Sequence, residues 1–115
     1  MKKLLLLTIA STFSAGVWAD CSTAKTSFES QKCLNSEVKS LRLQLDKVYQ
    51  NAQNQTQAKS ELRKSQDLWV KYKEMQCGDF VVADTQGSPA TVEYDLTCQS
   101  TLYQQRIDFL KSIFN

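Results

Sequence analysis

The sequence predicts an all-α fold, a small helical bundle stapled by disulfides. Three observations carry that prediction. Apolar residues recur at steps of three and four in three separate stretches, the chain holds four cysteines, and it opens with an export leader. Lys2 and Lys3 precede the apolar run Leu4 to Ala10, and Val17-Trp18-Ala19 supplies a small-residue cleavage pattern, so residues 1–19 read as a signal peptide cut after Ala19. Thr8, Ser11, Thr12 and Ser14 interrupt the run before it reaches the roughly 18 to 20 apolar residues of a membrane span. Trp18-Ala19-Asp20 ahead of Cys21 does not suit lipid attachment. The expected product is a soluble periplasmic protein of a Gram-negative bacterium, one domain over residues 20–115, with no integral membrane segment.

The elements follow in order. Thr26-Ser27-Phe28-Glu29 has capping-box spacing and predicts a short N-terminal helix from about Thr26 to Cys33. Leu34, Val38, Leu41, Leu45, Val48 and Ala52 then form one stripe along a long helix. After the polar stretch Asn51 to Gln57, the positions Ala58, Leu62, Ser65, Trp69 and Tyr72 repeat the pattern in an antiparallel second long helix, which Gly78 is expected to end. A C-terminal helix carries Leu96, Tyr103 and Leu110, with Leu102, Phe109 and Ile113 beside them. Pro89 lies at its approach, and Ser88 or Thr91 is the expected cap.

Four cysteines in a small exported chain imply two disulfides. A zinc site is the weaker reading, because the chain has no histidine and no close C-x-x-C pair. A helix that starts only at Thr26 lets Cys21 fold back toward Cys33, so the local pairing Cys21–Cys33 with Cys77–Cys98 is preferred. The helix directions gather all four cysteines at one pole, which keeps Cys33–Cys77 with Cys21–Cys98 open as the alternative.

Catalytic constellations are missing. Without histidine there is no Ser-His-Asp or Cys-His arrangement, and Gly16, Gly78 and Gly87 build no phosphate loop. The expectation is a binding protein, not an enzyme, with no cofactor and no metal. Trp69 and Tyr72 read as core, with a ligand or glycan platform as the lesser reading, and Leu68 and Met75 as packing that flanks them. Arg106 is expected to pair with Glu74 or Asp108, or to lay its stem along the bundle.

Charge narrows the partner class. The formal +2 of the chain resides in Lys2 and Lys3, so residues 20–115 are neutral and the basic excess of a nucleic-acid binder is absent. Its distribution is uneven. Residues 20–73 are net basic, whereas Glu74, Asp79, Asp84, Glu93 and Asp95 lie in a stretch, residues 74–105, without any Lys or Arg. Asp79, Asp84, Glu93 and Asp95 are therefore candidate contacts for a cationic partner.

The motifs also resemble a known family. Leu45-Asp46-Lys47-Val48-Tyr49 is similar to Leu-Asn-x-x-Tyr, and Gln66, Trp69, Tyr72, Lys73, Glu74 and Cys77 are similar to Gln-x-x-Trp followed by an aromatic or basic pair and a cysteine. Gly87-Ser88, the spacing of Cys98, Arg106 and Leu110, and the pair Cys21 and Cys33 complete the resemblance, which is to the LprI-type lysozyme inhibitors. Three positions depart from the family pattern: Lys73-Glu74 replaces Arg-Asp, Asp46 replaces Asn, and Tyr103 stands in place of Thr. The resemblance implies a secreted bacterial domain that inhibits lysozyme, with its matching residues mainly structural. The expectation is inhibition of a cationic lysozyme, or binding of another cationic protein, through the acidic loop between Cys77 and Cys98. The alternative is an envelope stress, adaptor or immunity protein that binds another protein through its helical face.

Overall fold

The computed structural model describes residues 21–114; the expected signal peptide lies outside them. Helix α1 spans Ser27–Gln55 without a break. Thr26 caps it as the capping-box spacing predicts: its Oγ1 accepts from the Glu29 amide at 3.1 Å, while the Glu29 carboxylate accepts from the Lys25 amide at 3.0 Å. The expected short N-terminal helix is thus the first two turns of α1. Nothing at Cys33-Leu34 is a Gly or Pro that would separate them.

At the far end Thr56 leaves helical geometry, its amide still bound to the Ala52 carbonyl at 2.9 Å and its Oγ1 accepting from the Ala58 amide at 3.0 Å. That tight corner turns the chain back into α2, Lys59–Lys73. Gly78 does not end this helix. The chain runs on through a π-helical segment, Glu74–Phe80, into the short α3, Val81–Asp84. The stop comes at Gln86 and Gly87, whose φ values of 54° and 66° are left-handed. Their amides reach back to the carbonyls of Ala83 at 3.3 Å and Val82 at 3.1 Å, a Schellman closure with Gln where Gly is usual. Helix α4 then spans Thr91–Ile113. Its N-cap is Ala90, with no side-chain cap, rather than Ser88 or Thr91; the Thr91 hydroxyl is bound instead to that of Thr85 at 2.6 Å.

Two reversals make α1 and α4 parallel and α2 antiparallel to both. The Asn51 amide group donates to the Phe114 carbonyl at one end of the α1–α4 pair, and Phe28 and Asn35 share a depression with Val92 and Leu96 at the other. The core lies in this seam: Val38, Leu41, Leu45 and Ala52 meet Tyr103, Ile107 and Leu110. Leu62 and Trp69 of α2 add only partly buried surface to it, and α2 itself buries no residue.

That corrects the expectation for the second stripe. Tyr72 is 53% exposed, and Leu68 and Met75 are exposed as well. The edge of α2 carrying Gln66, Trp69 and Lys73 makes its main contacts with α4, and Tyr72 lies about 60° further round the helix than Trp69. Phe109 and Ile113 are likewise exposed, because they project away from α1. Both disulfides form in the local pairing: Cys21–Cys33 and Cys77–Cys98, each with Cα atoms 5.5 Å apart.

Candidate functional site

The Cys77–Cys98 bridge closes a corner rather than a loop. Between the two cysteines the chain is helical except for Thr85 to Ala90. Cys77 sits in the π-helical segment and is only 1% exposed, so the bridge ties the widened turn directly onto α4. Asp79 and Asp84 are exposed on the descending limb, and Asp84 lines an open depression with Val81, Thr85, Ser88, Tyr94 and Cys98. Glu93 lies in the first turn of α4 and is half-buried. Asp95 is half-buried too, and its Oδ1 accepts from the Gln99 side chain at 2.9 Å. Glu93 and Asp95 are two residues apart on a helix and so point to different sides. The four carboxylates share one end of the molecule without sharing one face.

Below the corner, the motif residues assemble into a clasp between α2 and α4. The Trp69 and Tyr103 rings meet at 5.4 Å with planes tilted by 60°. Lys73 donates to the Tyr103 hydroxyl at 3.0 Å, its ammonium lying 4.8 Å from the Tyr103 ring centroid and 5.8 Å from that of Trp69. Tyr103, which departs from the family pattern, thus receives both departing and matching residues of α2. Arg106 pairs with neither Glu74 nor Asp108. Its Nε donates to Gln66 Oε1 and its Nη2 to Ser65 Oγ, both at 3.0 Å, and the guanidinium carbon lies 5.6 Å from the Phe109 centroid. Burial pushes the Arg106 pKa down from its ordinary value, and electrostatic attraction to Tyr49 acts the other way. Glu74 is exposed. Leu45 and Leu110 belong to the core, and Tyr49 packs beside it with its hydroxyl accepting from Gln53 at 2.7 Å. Gln66, Trp69, Lys73 and Arg106 thus join α2 to α4, whereas the motif residues Cys77, Ser88 and Cys98 belong to the acidic corner.

Sequence reading missed Glu37. It falls three residues after Leu34 and four before Leu41, on the apolar stripe itself, and is 2% exposed. Desolvation raises the pKa of its carboxyl above the ordinary carboxylate value. Cys21 Sγ approaches its Oε2 to 3.8 Å, a packing contact, since a disulfide sulfur has no proton to donate. Its place on the stripe is the signal that could have found it. Ser100 was missed as well: fully buried, with an Oγ that has no hydrogen-bond partner.

Among the described residues no group of three or more His, Cys, Asp and Glu is arranged to hold a metal ion, and no helix is long and apolar enough to cross a membrane. The two disulfides fit an oxidising, extracytoplasmic compartment. No curated protein and no solved structure matches the chain. The family model described as lysozyme inhibitor LprI matches residues 19–110, a span that includes the two disulfides, the α2–α4 clasp and the acidic corner. The chain belongs to the LprI lysozyme inhibitor family.

Proposed function

We propose that the protein inhibits a cationic lysozyme in the periplasm, and that the corner closed by Cys77–Cys98 is the surface it presents. The observation that carries this reading is the charge of that stretch: four carboxylates and no Lys or Arg between Cys77 and Cys98, in a chain whose other residues are net basic. A field of one sign at one end of a molecule raises the encounter rate with an oppositely charged partner. Asp79 and Asp84, the exposed pair, are the first contacts. Glu93 and Asp95, held closer to α4, contribute mainly to the field. Exposed charges are screened over roughly 8 to 10 Å at physiological salt, so their action is on approach rather than on the tightness of the final complex.

Lysis of bacterial cell walls by a cationic lysozyme, followed as loss of turbidity with increasing protein, tests the reading. The expected result is dose-dependent protection that weakens as salt is raised from low to physiological ionic strength. Protection that is absent at every salt concentration, with the protein folded, removes lysozyme as the partner.

A further inference from the structure

On the side of the molecule turned from α1, helices α2 and α4 leave a groove lined by Trp69, Tyr72, Leu102, Gln105, Arg106 and Phe109. Tyr72 and Phe109 are each more than half exposed, and Leu68 extends the apolar surface along α2. We propose that this groove docks a helical segment of a partner protein that presents one apolar side chain with a carboxylate a turn away.

Size selects the kind of occupant. The groove is open and offers about 220 Å³, below the roughly 300–1,000 Å³ of sites that engulf a small molecule, and suited to one anchoring side chain. Its walls are two antiparallel helices, the setting in which an amphipathic helix lays its apolar face between two others. Trp, Tyr and Arg, the residue types that dominate binding hot spots, all line it.

Charge selects the carboxylate. A guanidinium has five N–H donors, and Arg106 directs one to Gln66 and one to Ser65, both neutral, which leaves three. Neither acceptor is a carboxylate, and the Phe109 ring centroid lies 5.6 Å from the guanidinium carbon. A half-buried cation in an aromatic groove gains most from an anion that arrives with its own apolar cover, since both are then withdrawn from water together. Gln66 and Ser65 hold the fork in place in advance, so little ordering remains to be done on binding. This surface is opposite in sign to the acidic corner and does not depend on the lysozyme reading.

The test uses the secreted protein and two synthetic probes: an alanine-based, hydrocarbon-constrained helical peptide carrying one leucine and one glutamate four residues apart, and the same peptide with glutamine in place of glutamate. Nuclear magnetic resonance follows the Trp69 indole N–H and the Arg106 Nε–H. The expected outcome is saturable shifts of both signals with the glutamate peptide and affinity about tenfold lower for the glutamine peptide. Phe109→Ser, on an exposed position, should melt like wild type and abolish the shifts. Arg106→Lys, which keeps the charge and loses the fork, should weaken binding several-fold. Equal affinity for the two peptides, or undiminished binding by Phe109→Ser, overturns the proposal. Concentration-dependent shifts of the same two signals without peptide also overturn it, by assigning the groove to a second copy of the chain.

Discussion

The α1–α4 seam and the α2 limb are both helical, and they are held by different physics. The seam is apolar and buried from Val38 to Ala52 on one side and from Tyr103 to Leu110 on the other. Helix α2 buries nothing fully and stays in place through one tilted aromatic pair, a lysine over two rings, an arginine fork on Gln66 and Ser65, and a disulfide just beyond its end. The difference teaches what four residues of the motif stretch do in this chain. Gln66, Trp69, Lys73 and Arg106 join to α4 a helix that buries no residue fully, just ahead of the acidic corner.

The largest expected effect breaks the seam. Ile107 is completely buried between α1 and α4, and Ile107→Ala should cost about 2–5 kcal/mol, a large share of a small domain's stability. Urea unfolding measures it; a loss of a few tenths would mean the core lies elsewhere. Next comes the limb. Replacing Cys77 and Cys98 together by serine opens a loop of 21 residues in sequence and should cost about 3 kcal/mol. Amide exchange should then accelerate through α2 and the π-helical segment more than through α1. Uniform acceleration along the chain would show one cooperative unit and dissolve the contrast.

Smaller effects sharpen it. Glu37 is a carboxyl whose pKa is raised in the folded state, so the fold favours its protonated form: that contribution is present below the unfolded pKa and is lost as pH rises through the folded one. Glu37→Gln should therefore melt higher than wild type near neutral pH, with the gap closing on acidification through the ordinary carboxylate range. A gap that is constant with pH assigns the effect to packing instead. Gly78 gives the smallest change and the cleanest sign. A Cβ there would meet nothing within 4 Å and the helix passes straight through, so Gly78→Ala should stabilise by about 0.5–1 kcal/mol. Destabilisation would mean that Gly78 is a terminus after all.

Legibility in the sequence divides along the same line as stability. The α1 stripe, the Thr26 cap, the terminal helix and both disulfides were readable, because burial in the seam imposes a strict periodicity and local cysteine pairs need no knowledge of docking. On α2 the same periodicity misled. Ala58, Ser65 and Tyr72 sit at stripe positions, yet a helix touched along one narrow edge buries only part of a stripe. Gly78 resembled a helix stop because composition cannot reveal a π-helical turn, while the real stop used Gln86 in a left-handed conformation that glycine usually takes. Glu37 and the Arg106 fork escaped for a related reason: one hides a charge on an apolar stripe, and the other finds neutral partners some forty residues away, where charge matching searches for carboxylates. The acidic character of the corner was legible from charge distribution alone. Its helical form and the unequal exposure of its four carboxylates were not.

The central claim is that this corner draws in a cationic lysozyme, and stopped-flow association with purified lysozyme tests it most directly. The wild type is compared with a variant in which Asp79, Asp84, Glu93 and Asp95 are replaced by Asn or Gln. The account predicts an association rate about tenfold lower for the variant at low ionic strength, converging with wild type as salt rises, while helical content and melting temperature stay unchanged. An equal association rate for a folded variant at low salt would contradict it.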